Sequence, residues 1–117
     1  MSIPKPSFDF FDNVDATANQ VSPIFDVPCF QDMRFLIQTE KAGTNGNPRI
    51  IVEESIRGAL WTPMENPKDC EEFFDIVKNL DSIKDNYFMG FKMRLRLEPN
   101  GNSTGTLSAH MGYKSRI

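Results

Sequence analysis

Strict two-residue alternation over 91–98 is the feature that most limits what this chain can fold into. Phe91, Met93, Leu95 and Leu97 take one parity, and Lys92, Arg94, Arg96 and Glu98 take the other. Successive strand side chains point to opposite faces, so this pattern is a strand with one buried and one wet side. Pro99-Asn100-Gly101-Asn102-Ser103 supplies turn residues, after which Leu107, Ala109, Met111 and Tyr113 alternate with Thr106, Ser108 and His110. Read together, 87–113 predicts a long β-hairpin with the second set inward. A sheet with one apolar face must cover it with another layer, which predicts an all-β antiparallel sandwich of jelly-roll or immunoglobulin type.

The rest of the chain fits that frame. Val21–Val27 predicts an edge strand, because Pro23 cannot donate to a ladder. Met33–Glu40 alternates Phe35, Ile37 and Thr39 against Arg34, Leu36 and Gln38. Lys41–Pro48 is a loop around the turn dipeptide Asn45-Gly46. Arg49–Ser55 is a strand, Leu60–Thr62 a short one, and Pro63–Asp69 a loop. Segment 68–80 supports two elements. Cys70, Phe73, Phe74 and Val77 have helical spacing behind an acidic start, whereas Phe73–Lys78 alternates as a strand. The all-β surroundings favour the strand, with a short helix as the alternative. The expected core is Phe35, Ile37, Ile50, Val52, Trp61, Phe74, Ile76, Phe91, Met93, Leu95, Leu107, Ala109 and Met111.

Residues 1–18 are set apart from the domain at 19–117. Phe8, Phe10 and Phe11 are interleaved with Asp9, Asp12 and Asp15 behind two prolines, which predicts an extended aromatic arm. Such an arm is too apolar to remain solvated. It docks either on its own domain or in a neighbouring subunit. On the second alternative, Phe8, Phe10 and Phe11 are partner-binding residues, and deleting 1–16 leaves a folded domain that no longer assembles.

Composition narrows the chemistry. With 117 residues the expectation is one domain, long enough to form a core without staples. No apolar run reaches the ~20 residues of a membrane span, and the N-terminus has no apolar signal core, so synthesis in a cytoplasm is expected. Cys29 and Cys70 lack metal spacing and are expected as free thiols. One histidine, His110, falls on the wet face, and neither a nucleophile triad, a metal site nor a cofactor site is expected. Gly101–Gly105 is glycine-rich but joins two strands, so a turn is expected in place of a phosphate cradle.

Two features remain as candidate binding groups. Lys92, Arg94 and Arg96 form a cationic row that suits a phosphate backbone, carboxylates such as Glu53 or Glu54 on a neighbouring strand, or an acidic partner. A net charge of −3 disfavours nucleic acid. Trp61 is either a core residue or, with Tyr87, a platform for stacking a sugar.

The order of elements resembles a known group. Val21-Ser-Pro-Ile-Phe-Asp-Val27 opens the domain, and Phe35–Gln38, the Gly43–Gly46 loop, Val52–Ser55 and Trp61–Pro63 follow. Tyr87 leads into Arg94–Arg96, and the chain closes on Asn100–Leu107. This is similar to small β-sandwich virion proteins of bacteriophages, over roughly residues 17–113. The resemblance implies a non-enzymatic structural subunit, present in many copies as a decoration, vertex, head-to-tail or tail component. It implies other virion subunits such as major capsid or tail proteins as partners, assembly in the host cytoplasm, and no catalytic residues. The alternatives are a carbohydrate-binding module using Trp61, or a nucleic-acid-binding sandwich using Lys92, Arg94 and Arg96.

Overall fold

A computed structural model describes residues 7–27, 33–78 and 91–115. Ten strands are present among them: β1 (Ser7–Asp15), β2 (Gln20–Val21), β3 (Phe25–Val27), β4 (Met33–Ala42), β5 (Arg49–Ser55), β6 (Thr62–Pro63), β7 (Lys68–Asp69), β8 (Phe73–Lys78), β9 (Phe91–Glu98) and β10 (Thr106–Ser115). They form two antiparallel sheets packed face to face. Sheet A runs β1-β10-β4-β8, and sheet B runs β2-β9-β5-β6, with β3 also on β9 and β7 also on β5. The thin dimension is 19 Å, which suits two sheets about 10 Å apart plus their outer side chains.

β2 and β3 are one edge strand interrupted at Ser22–Ile24. The interruption is held by Ser22, whose N–H donates to the Leu95 carbonyl (2.9 Å) and whose hydroxyl accepts from the Leu95 N–H (2.8 Å). β6 and β7 are likewise two pieces of one strand along β5. Counted so, eight strands stand in the orders 1-8-3-6 and 2-7-4-5, and successive strands switch sheets everywhere except from β5 to β6. That is the jelly-roll order, two Greek keys wrapped into a sandwich.

The expected hairpin is therefore corrected. β9 and β10 do not pair; β9 lies between β3 and β5, and β10 between β1 and β4. Both still aim their apolar sets inward, because they face one another across the core. Asn100 and Gly101 carry φ of 51° and 85°, and the Asn102 N–H donates to the Pro99 carbonyl at 2.9 Å, the signature of a type I′ turn. After it, Asn102–Gly105 carries the chain across to the other sheet.

The core holds Phe35, Ile37, Ile50, Val52, Phe74, Ile76, Phe91, Met93, Leu95, Leu97, Leu107, Ala109 and Met111. Trp61 was expected there and is only half-buried, outside that cluster. Residues 68–78 form β7, a turn at Cys70-Glu71 and β8, so the helical alternative is not realised over these residues. Burial pushes the Cys70 thiol up from its ordinary pKa, against an opposing hydrogen bond with Thr39. Cys29, Tyr87 and the turn expected at 81–86 lie outside the described residues.

The N-terminal arm docks on its own domain. Over Ser7–Asp15 it is the edge strand of sheet A, paired along β10. The register slips between Asp9 and Phe11, and this bulge turns both Phe10 and Phe11 inward, at 2% and 3% exposure. A second slip brings Asn13, with φ 51°, over β10, where its N–H donates to Ser108 Oγ at 2.9 Å. Ser108, expected on the wet face, is buried beneath it. Phe10, Phe11 and Ala16 all belong to the core, so the described part of the 1–16 segment packs into the domain it precedes.

Candidate interaction surfaces

The outer face of sheet B carries the cationic row. Antiparallel register sets Arg94 opposite Glu53, Arg96 opposite Ile51 and Lys92 opposite Ser55. Glu53 is 5% exposed and receives both arginines: Arg94 Nε donates to Oε1 at 2.9 Å, and Arg96 Nε lies 3.6 Å from Oε2. Arg96 Nη1 also donates to Glu98 at 2.9 Å, and Lys92 pairs with Asp26 on β3. All three cations thus sit against carboxylates of their own sheet. Of the arrangements open to this row, cross-strand pairing is the one adopted, and the charge available to an external phosphate or acidic partner is correspondingly reduced.

Over this row lies a strap, residues 56–61. The Gly58 N–H donates to Ser55 Oγ at 2.8 Å, and Trp61 Nε1 donates back to the Gly58 carbonyl at 3.1 Å. Gly58 has φ +82° and lies so close to Lys92 that a Cβ would stand 3.2 Å from Lys92 Cδ. The Arg94 guanidinium is 4.2 Å from the Trp61 ring centre. One face of the indole is therefore covered by a cation and its N–H is engaged. Arg94→Ala should uncover it, with a cost of about 0.5–1 kcal/mol from the lost cation–π contact. Trp61 is the sole tryptophan, so acrylamide quenching of its emission reads this directly. Quenching in Arg94→Ala is expected to exceed that of the parent chain; equal quenching contradicts the stacked geometry.

The strap leaves apolar side chains in solvent. Leu60 is 86% exposed and Ile56 is 56% exposed. With Glu54, Arg57 and Thr62 they line an open cleft of about 670 Å³.

The outer face of sheet A is of another character. Phe73, Leu36 and Val77 are exposed on β8 and β4, with Asp75 among them. Arg34 holds Asp75 through two bonds, Nε at 2.8 Å and Nη2 at 2.6 Å, and the carboxylate raises the arginine pKa further. At the far side His110 Nδ1 lies 2.8 Å from Asp9 Oδ1, a cross-strand pair between β10 and β1.

No family model, curated protein or solved structure matches this chain.

Among the described residues no three His, Cys, Asp or Glu side chains gather as a metal ion needs, and no helix is long and apolar enough to cross a membrane. Of the arm residues singled out as partner-binding, Phe10 and Phe11 are in the core. Phe8 is half-buried, with its ring 4.9 Å from Phe10 and 5.1 Å from Phe25, which in turn stands 4.8 Å from Tyr113. These rings close the gap between β1 and β3 within one chain. The exposed residues Ile56, Leu60, Phe73 and Val77 were not singled out from sequence. Their signal was available only in part: Phe73 and Val77 share the parity of Asp75, which marks the wet face once Phe73–Lys78 is taken as a strand.

Proposed function

We propose that this chain is a non-enzymatic structural subunit of a virus particle, of the bacteriophage kind its order of turns and strands resembles. Jelly rolls build both capsid and lectin domains, so the fold alone chooses neither. The observation that carries the proposal is the exposure of apolar groups at two separate places on the surface. Ile56 and Leu60 line the open cleft at the strap, and Leu36, Phe73 and Val77 stand on the outer face of sheet A. Apolar groups grouped on a surface are typical of protein–protein contact. A subunit presenting them at two places can be gripped by two neighbours at once, as a repeated shell or tail component must be. The sugar-binding alternative draws less support, since Trp61 already stacks on Arg94.

The test is the composition of purified particles. In particles banded on a density gradient from a culture that produces this chain, quantitative mass spectrometry should find it at a fixed, many-copy ratio to the major shell protein. A chain that stays in the soluble fraction while particles band without it would refute the proposal.

A further inference from the structure

Among the described residues each sheet has two edges, and three of the four are blunted. β1 carries two register slips. The β2/β3 edge is broken around Pro23, and the β6/β7 edge consists of two-residue pieces that include Pro63. Bulges, prolines and short strands are the devices by which proteins stop edges from pairing with other chains. β8 has none of them. It pairs with β4 in unbroken register from Met33↔Lys78 to Gln38↔Phe73, and among the described residues its other edge has no paired strand.

The sequence of that edge is its own complement. Residues 72–78 read Glu-Phe-Phe-Asp-Ile-Val-Lys. Antiparallel pairing with an identical strand, centred on Asp75, sets Phe73 opposite Val77 on the outer face and Phe74 opposite Ile76 on the inner face. At both ends it sets Glu72 opposite Lys78. Every directly opposed pair thus shares a face, as an antiparallel ladder requires. The apolar pairs match, and the charged ends are of opposite sign. Only Asp75 meets a like charge, and each Asp75 brings its own Arg34 in a two-bond clamp that offsets it. Lys78 already pairs with Glu54 at 3.1 Å, and its ammonium has further protons for a second carboxylate. The exposed bond from Lys68 Nζ to the Phe73 carbonyl, 3.2 Å, has to yield to the incoming strand.

We propose that β8 pairs with β8 of a second copy of this chain across a two-fold axis at Asp75, joining two A sheets into one continuous sheet. The contact is isologous and closes as a dimer. It sets Phe73, 56% exposed in the single chain, against Val77, 42% exposed, across the new ladder. The inference goes beyond the virion proposal and stands without it, since it concerns the purified chain alone.

The experiment is sedimentation of the full chain between about 1 µM and about 1 mM, a span that captures micromolar to millimolar association. A concentration-dependent rise to twice the chain mass is expected. Phe73→Lys, at an exposed position outside the core, should weaken association at least about tenfold. Glu72→Lys, which sets two lysines opposite at each end, should weaken it as well. Val21→Lys, on the exposed edge of sheet B, should not. Far-UV circular dichroism establishes that each variant is folded. A chain that is monomeric throughout the range overturns the proposal, as does self-association indifferent to both Phe73→Lys and Glu72→Lys.

Discussion

Removing residues 1–16 should unfold this protein rather than trim it. The segment contributes Phe10, Phe11 and Ala16 to the core. Replacing one buried Phe by Ala costs about 3–5 kcal/mol, and total stability of such domains is about 5–15 kcal/mol. Loss of two such rings is already comparable with that total. The deletion also strips the outer ladder from β10 along Thr106–Gly112, which leaves a long central strand as an open edge. It removes the roof over Ser108 and opens the aromatic seam between β1 and β3. The expected result is loss of the cooperative thermal transition and of dispersed amide resonances in the truncated chain. A truncated chain that melts cooperatively at the parent Tm would show that β1 is an accessory arm.

Gly105→Ala should be the most damaging single methyl group. Gly105 has φ +88°, and a Cβ there would collide with the Ala42 carbonyl oxygen and stand 2.6 Å from the Gly43 carbonyl carbon. Both obstacles are backbone, so neither can swing away. The strained conformation costs about 1–3 kcal/mol, and overpacking adds about 1–3 kcal/mol. The site cannot relax easily, because the loops around it are tied by one side chain. Asn102 is buried; its Oδ1 accepts from the N–H groups of Asn45 (3.0 Å) and Gly46 (3.1 Å), and its Nδ2 donates to the carbonyls of Ala16 (2.9 Å) and Thr104 (2.7 Å). That amide fastens the β1–β2, β4–β5 and β9–β10 connections together. Gly112→Ala is the matched control, since a Cβ there meets nothing within 4 Å. Urea denaturation should show a large drop in midpoint for Gly105→Ala and a change within about 0.5 kcal/mol for Gly112→Ala. Equal midpoints for the two would contradict the close approach of Gly105 to Gly43.

A milder effect lies at the end of β1. The Thr17 hydroxyl and N–H both donate to Asp15 Oδ1, at 2.7 and 2.9 Å, and hold that carboxyl below its ordinary pKa. A depressed carboxylate pKa gives stability that is present above the unfolded value and is lost as pH falls through the folded one. Thr17→Ala should therefore flatten part of the acid limb of a stability–pH profile.

Side-chain alternation made the inward sets legible in Met33–Glu40, 91–98 and 106–113, and with them most of the core. It could not say which strand lies beside which. Alternation reports which face is dry, and two strands facing one another across a core alternate just as a hairpin does. The turn at Asn100-Gly101 strengthened the wrong partner, although its geometry is real. Phe10 and Phe11 sit next to each other, so two-residue phasing could not place both inside; a bulge does it, and bulges leave no clear mark in sequence. Pairing of Glu53 with the arginines of β9 was legible as one of three arrangements, because opposite charges on neighbouring strands invite pairing. The strap at 56–61 was not legible, since it depends on Gly58 lying against Lys92 in space.

Cross-strand Hα–Hα contacts in NOE spectra test the sandwich on which all of this rests. The jelly-roll order requires contacts joining β10 to β4 and to β1, and joining β9 to β5 and to β3. A ladder of contacts between β9 and β10, such as Leu97 with Leu107, would restore the simple hairpin and overturn the two-sheet arrangement.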